Sequence, residues 1–220
     1  MKRRLFGRSL LAVAVLGSAC CSDSSEPLYK DVSQPVERRI DDLMGRMTLR
    51  EKIGQMCQFV GLEHLRMAER NATPEEIRDG HAQGYYPGYH STDILRMVET
   101  GEASSFFHVV TPEEANYLQG LAQKSRLQIP LIIGIDAIHG NGLYSGATIY
   151  PTSIGQAATF DPDLVERLCR ETALEMRAMG AQWTFNPNVE VARDARWGRC
   201  GESFGEDPLL VGRMGAASVR

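Results

Sequence analysis

The eight residues IPLIIGID (Ile129–Asp136) decide the fold class, because they form an almost continuous apolar run that ends in a carboxylate. Such a run is typical of a parallel strand that is buried on both faces of a sheet. Helices are predicted on either side of it. Thr111–Ser125 begins with a Thr N-cap and a Pro in the first turn, and Asp161–Gly180 has an Asp N-cap and a terminal Gly.

Further strands and helices alternate along the chain. Ser104–Val110 and Trp183–Val191 are candidate strands, and Glu63–Tyr89 is predicted to be an insertion or a long loop because it is polar and rich in glycine. Three more helices are predicted: Val36–Met47, one that opens with the capping box TLRE (Thr48–Glu51), and one from about Asp207 onward. Strands that alternate with helices indicate an α/β fold with a parallel sheet.

Two α/β architectures fit this alternation, an open doubly wound sheet and a (β/α)8 TIM barrel. No G-x-G-x-x-G fingerprint follows a strand, which disfavours a dinucleotide-binding sheet. The loops after the strands are long and polar, as at the catalytic face of a barrel. A whole barrel needs about 250 residues, and only about three βα units are visible. We therefore predict the N-terminal part of a TIM barrel, incomplete in this chain.

The N-terminus resembles an export signal. Positive residues precede the apolar run Leu10–Leu16, which is shorter than the roughly 20 residues of a membrane-spanning helix. Small residues before Cys20 resemble a bacterial lipobox, so Cys20 is a candidate for lipidation; the alternatives are lipidation of Cys21 or simple cleavage. We predict a signal peptide over residues 1–20, a polar tether over 21–34 and a domain over 35–220. The expected location is the periplasm or the outer membrane, with contact to lipid through such an anchor alone.

The charge and the cysteine spacing argue against nucleic-acid binding and against a metal site. A net charge of −4 supplies no basic surface for nucleic acid. Beyond the signal, Cys57, Cys169 and Cys200 form no zinc-type spacing with one another or with histidine, so no metal site is predicted. No cofactor is predicted either.

Two loops carry the candidate chemistry. Asp136 ends a buried strand, where a carboxylate either caps the loop or accepts hydrogen bonds from substrate hydroxyls. His139, three residues on, is predicted to be a structural loop residue. The stretch ARDARWGRCGESFGEDP (Ala192–Pro208) is either a salt-bridge network that fastens the loop or a source of one guanidinium that projects into a pocket, and both can hold. Asp, Asn and Arg side chains at strand ends suit a neutral polyhydroxylated ligand better than a phosphate.

Two long motifs resemble glycoside hydrolase family 3, the beta-glucosidase type. GIDAIHG, at the start of Gly134–Leu164, is similar to the G-[IV]-D-A-x-H-G of that family. Phe185–Leu210, FNPNVEVARDARWGRCGESFGEDPLL, is similar to its second motif, with Ala195 where the family often has Pro. The resemblance extends from about Pro35 to Arg220 and is dense from Ile129 onward.

The resemblance implies roles for individual residues. Asp136 and Arg199 fall on positions that bind the sugar in the −1 subsite of the family. The residues that fall on its supporting loop network are Arg193, Arg196, Glu202, Glu206 and Asp207.

The resemblance also implies a reaction. Family members hydrolyse terminal non-reducing β-D-glucosyl residues with retention, using a nucleophilic Asp in an S-D-[WY]-like motif and a separate acid/base. No S-D-W or S-D-Y occurs in these 220 residues, so no catalytic residue is assigned here. The expected substrate is a β-glucoside or oligosaccharide, and the chain is expected to be part of an exported beta-glucosidase. The alternative is a barrel fragment that binds carbohydrate without cleaving it.

Overall fold

The computed structural model describes residues 26–81 and 84–220. The predicted signal peptide, Cys20 and the first part of the predicted tether lie outside the described residues. The chain divides into two units, Met1–Arg46 and Met47–Arg220.

The described part of the first unit is a short helical hairpin. A 3₁₀ turn, Leu28–Lys30, precedes α1 (Val36–Arg46), as the sequence predicts for Val36–Met47. The backbone N–H of Tyr29 donates to the Asp42 carboxylate (3.0 Å), and Arg39 Nε donates to the Tyr29 carbonyl (2.9 Å).

The second unit is built around a four-stranded parallel sheet. Its strands are β1 (Gln58–Val60), β2 (Ser105–Phe107), β3 (Ile132–Ile135) and β4 (Trp183–Thr184). They pair in chain order, β1-β2-β3-β4, and every pairing is parallel. A doubly wound sheet reverses its strand order at a switch point, whereas a barrel adds each strand beside the last. The observed order therefore favours the barrel over the open sheet.

Helices follow the strands throughout the second unit. Among the described residues they are, in chain order, α2 (Leu49–Gly54), α3 (Leu62–Asn71), α4 (Pro74–Arg78), α5 (Ser91–Thr100), α6 (Pro112–Ala122), α7 (Ser153–Ala157), α8 (Pro162–Met179) and α9 (Pro208–Ser218). None of these helices is long and apolar enough to cross a membrane.

The predicted helix ends are confirmed by their capping bonds. The side chains of Thr111, Asp161 and Asp207 accept hydrogen bonds from backbone N–H groups in the first turns of α6, α8 and α9. Thr48 opens α2 with the predicted capping box. Gly180 ends α8 with a φ of 103°, in the left-handed region that glycine tolerates.

The prediction of a loop over Glu63–Tyr89 is wrong for residues 63–78, which hold most of α3 and all of α4. Leu62, Leu65 and Ala68 recur at helical spacing and are buried, so α3 is an amphipathic helix. The strand predicted over Trp183–Val191 is also shorter than expected. Pro187 has no backbone N–H for a sheet ladder, and pairing stops at Thr184.

The main core lies between the sheet and the helices that cover it. Phe106, Ile133 and Ile135 are fully buried in the strands, and α5 and α6 add Ile94 and Leu118. On α8, the buried residues are Val165, Thr172, Met176 and Met179. Val165 belongs to a smaller core between α8 and α9.

Candidate functional site

Polar side chains follow three neighbouring strands at the points where the strands end. His108 follows β2, Asp136 follows β3, and Asn186 and Asn188 follow β4. Because the strands are parallel, their carboxyl ends meet at one edge of the sheet. In open α/β sheets and in barrels, ligands bind at this edge.

Asp136 presents a partly solvated carboxylate at this edge. Its side chain is 44% exposed, and its Oδ2 accepts a hydrogen bond from Nε2 of His108 (2.9 Å). Among residues 26–81 and 84–220, no backbone N–H donates to this carboxylate and Oδ1 has no hydrogen-bond partner. The geometry does not support a loop-capping Asp, and it leaves an acceptor oxygen free.

Arg199 is held by a carboxylate at the start of the 3₁₀ turn Cys200–Glu202. Its Nε and Nη2 donate to Oε2 of Glu202 at 3.0 and 2.6 Å, and Asn188 Nδ2 donates to the same carboxylate (2.8 Å). These bonds connect the loop to the segment that follows β4. The Arg199 side chain nevertheless remains 59% exposed, so part of its donor fork faces solvent.

Electrostatics relate the two predicted sugar-binding residues. The pKa of the Arg199 guanidinium is raised, chiefly by its hydrogen bonds to Glu202 and secondly by the negative charge of Glu202. The charges of Glu190 and Asp136 make smaller contributions in the same direction. Asp136 is thus within electrostatic range of Arg199. The hydrogen bonds from Arg199 also hold the pKa of Glu202 below its usual value, so that carboxylate is ionised at neutral pH.

The remaining loop residues have separate environments. Arg196 is paired with Asp194 (Nε–Oδ1 3.0 Å), a local contact two residues apart. Asp207 caps α9 through Leu210 N. The side chains of Arg193 and Glu206 are exposed and form no ion pair within the part of the chain that the structure describes. The structure therefore brings Arg199 and Glu202 together, and among the described residues the other predicted network residues form no hydrogen bond or ion pair with these two side chains.

The loop after β3 is fixed by backbone contacts. His139 Nδ1 donates to the Tyr150 carbonyl (2.9 Å), while Tyr150 N donates back to the His139 carbonyl (2.8 Å). At Gly140, φ is 106° and a Cβ atom would lie 2.1 Å from the Thr148 carbonyl oxygen, so only glycine fits there. These contacts are those of a structural loop histidine.

Sequence reasoning missed three residues near this edge. His108 contacts Asp136, and the ring centroid of His64, from α3, lies 5.9 Å from that of His108. Glu114 of α6 accepts a hydrogen bond from Leu62 N at the start of α3, and burial raises the pKa of its carboxyl group. The one signal in the sequence was a polar residue directly after an apolar strand, the same signal that identified Asp136.

The described residues contain neither a cluster of metal ligands nor a disulfide bond. No group of three or more His, Cys, Asp or Glu side chains there could hold a metal ion. Cys57, Cys169 and Cys200 are free thiols, and burial raises the pKa of Cys169.

Comparisons with known proteins identify relatives. The family model described as the glycosyl hydrolase family 3 N terminal domain matches residues 48–220. The Periplasmic beta-glucosidase of Salmonella typhimurium is 32% identical over 182 residues, which cover 82% of this chain and 20% of that protein. The Lysosomal beta glucosidase of Dictyostelium discoideum is 32% identical over 185 residues, covering 82% of this chain and 22% of that protein.

Solved structures give the same result. A mutant beta-glucosidase from Listeria innocua in complex with laminaribiose has a TM-score of 0.63 at 30% identity, covering 84% of this chain and 23% of that one. An exo-1,3/1,4-beta-glucanase from a Pseudoalteromonas species has a TM-score of 0.64 at 30% identity, with 83% and 21% covered. The predicted fold class, part of a TIM barrel, is confirmed. The chain spans about a fifth of the length of these relatives.

Proposed function

The chain belongs to glycosyl hydrolase family 3, and from this membership we propose that it is part of an exported beta-glucosidase. The proposed reaction is hydrolysis of terminal non-reducing β-D-glucosyl residues with retention of configuration. In this proposal the chain contributes part of the −1 sugar subsite through Asp136 and Arg199. Beta-glucosidases among the relatives, one of them periplasmic, support both the activity and the export.

The observation that carries the proposal is the pair of oppositely charged, solvent-accessible groups at the carboxyl edge of the sheet. Asp136 has a free oxygen that can accept hydrogen bonds from hydroxyl groups, and the fork of Arg199 can donate to hydroxyl oxygens. A neutral sugar offers donors and acceptors on adjacent carbons and therefore matches both groups at once. An anionic ligand would be repelled by Asp136 and the neighbouring Glu202.

The roles proposed here are in binding and not in bond cleavage. Retention requires two carboxyl-type groups about 5 to 5.5 Å apart on either side of the scissile bond. Asp136 is hydrogen-bonded to His108, and Glu202 is hydrogen-bonded to Arg199. Neither carboxylate is assigned as nucleophile or acid/base. We propose that residues outside these 220 supply that pair. Arg193, Arg196, Glu206 and Asp207 are proposed as loop supports, together with Glu202.

A sugar titration of the 220-residue chain tests the subsite. Glucose should shift amide resonances of the loops after β3 and β4 in ¹H–¹⁵N NMR spectra. A hydrogen bond to a charged group contributes about 1.5 to 3 kcal/mol, or roughly 10- to 150-fold in affinity. Asp136→Asn and Arg199→Gln should each weaken binding within that range.

Two surface variants of α8, Asp163→Asn and Arg170→Gln, are matched controls because both residues are exposed and, among the described residues, neither makes a hydrogen bond or ion pair with Asp136 or Arg199. They should bind glucose as the wild type does. Equal affinities for Asp136→Asn and Asp163→Asn would refute the assignment of Asp136. The chain should also release no nitrophenol from 4-nitrophenyl β-D-glucoside, and clear turnover would contradict the placement of the catalytic pair.

A further inference from the structure

We propose that His108 is a positioning residue for Asp136: it holds one carboxylate oxygen so that the other faces the sugar. This inference rests on the proposed function, because it assigns a role within the same subsite. Neither family motif quoted above includes His108, which lies 28 residues before Asp136 and on a different strand end.

The backbone of His108 is hydrogen-bonded to β3 and packs against the residue that follows β1. Its N–H donates to the carbonyl of Gly134 in β3 (2.9 Å). On the other side its carbonyl packs against Gly61, where a Cβ atom would lie 2.5 Å from the His108 oxygen. His108 also has a φ of 57°, a left-handed conformation that is uncommon for residues other than glycine. Such conformations persist where the surrounding structure enforces them, often at binding sites.

The imidazole packs against two neighbouring rings. Its ring centroid lies 4.4 Å from that of Phe107 and 5.9 Å from that of His64. The His108 side chain is 21% exposed, against 44% for Asp136. A ring that packing holds in place can donate a hydrogen bond without losing much further side-chain freedom.

The hydrogen bond gives the two oxygens of the Asp136 carboxylate different environments. Nε2 of His108 donates to Oδ2, and Oδ1 has no partner among the described residues. A carboxylate that is already oriented loses less entropy when it binds a ligand than one that rotates freely. The geometry thus leaves a fixed acceptor at the edge of the sheet where the sugar is proposed to bind.

Two substitutions of His108 separate the effect of its hydrogen-bond donor from the effect of its ring packing. His108→Phe keeps a flat ring for packing and removes the Nε2 donor, whereas His108→Gln keeps an amide donor of similar reach. Both new residues meet the same left-handed backbone, so their losses in folding stability should be similar. Glucose affinity of the 220-residue chain should fall roughly tenfold in His108→Phe, within the range for residues coupled by a hydrogen bond. In His108→Gln it should stay within about threefold of the wild type.

A double-mutant cycle shows whether His108 acts through Asp136. If it does, His108→Phe combined with Asp136→Asn should bind glucose no more weakly than Asp136→Asn alone. Additive losses would overturn the proposal, since they would mean an independent contact. Two-bond ¹H–¹⁵N spectra should place the imidazole proton of the neutral His108 ring on Nε2, and a proton on Nδ1 alone would also overturn it.

The outcomes distinguish this inference from the proposed function. Normal glucose affinity in His108→Phe together with weak binding in Asp136→Asn refutes the positioning role and leaves the subsite intact. A wild-type chain that is folded by circular dichroism but does not bind glucose refutes both.

Discussion

Two capping boxes of identical pattern should respond very differently to the same substitution. Thr48–Glu51 opens α2 and Thr73–Glu76 opens α4, and in each box the Glu accepts hydrogen bonds from the Thr backbone N–H and hydroxyl. Glu51 is only 5% exposed, whereas Glu76 is exposed. Replacing each with Gln changes the charge and almost nothing in the shape.

Unlike Glu76, Glu51 accepts its hydrogen bonds in a buried place, and one of its donors is an arginine. Its carboxylate accepts from Thr48 N (2.7 Å), Thr48 Oγ1 (2.9 Å) and Arg126 Nη2 (2.6 Å). All three bonds end on Oε2, so Glu51→Gln can keep one oxygen for these donors, but it removes the negative charge that pairs with Arg126 and puts an NH2 donor in a buried place. An unsatisfied buried group costs about 1 to 3 kcal/mol, and more if it is charged. We expect the free energy of unfolding to fall by about 2 kcal/mol or more at pH 7, and to change little in Glu76→Gln.

The loss should also depend on pH. Burial alone would raise the pKa of Glu51, but the bonds from Thr48 and Arg126 outweigh it and hold the pKa below its usual value. A lowered pKa means that the stabilisation is present above the unfolded value of about 4.5 and is lost as the pH falls through the folded value. The difference between wild type and Glu51→Gln should therefore shrink in acid.

Urea unfolding at a series of pH values, followed by circular dichroism, measures this difference. The slope of the free energy against urea should be unchanged, because the exposed surface is unchanged. Equal losses in Glu51→Gln and Glu76→Gln, or a difference that grows as the pH falls, would refute the reasoning.

Three other substitutions have expected outcomes. Burial raises the pKa of Glu114, so its ionisation destabilises the fold as the pH rises above about 4.5. Glu114→Gln should remove this decline from urea midpoints, and an unaltered slope would count against it. Gly140→Ala should destabilise the chain by more than about 2 kcal/mol because its Cβ would overlap Thr148; a thermal melt like that of the wild type would contradict the close approach. Asp161→Ala should cost about 1 kcal/mol by removing the α8 N-cap, and an unchanged midpoint would exclude that cap.

The parts of the fold that depend on local pattern could be predicted. The apolar run Ile129–Asp136 contains a buried parallel strand, and Asp161 and Gly180 mark the ends of α8, because strand burial and helix caps act over a few residues. α3 is hidden from local pattern because the glycines at positions 80, 84 and 88 and the many polar side chains indicate a loop for the whole segment. The buried positions of α3 are few but correctly spaced.

The candidate site was predictable only where one residue carried its own signal. Asp136 was recognisable as a carboxylate at the end of an apolar strand. His108 depends on a contact with a residue 28 positions away, and Glu114 on a contact 52 positions away. No local pattern encodes such contacts, since they arise when neighbouring strands and helices are packed side by side.

The central claim is that Asp136 accepts hydrogen bonds from sugar hydroxyls, and a series of monodeoxyglucoses tests it most directly. Affinities of the wild-type chain and of Asp136→Asn are measured for glucose and for each monodeoxy analogue. We predict that at least one missing hydroxyl weakens wild-type binding by about tenfold and has little effect in Asp136→Asn, because the partner of that hydroxyl is already weakened. Parallel losses in the two proteins at every position would contradict the claim.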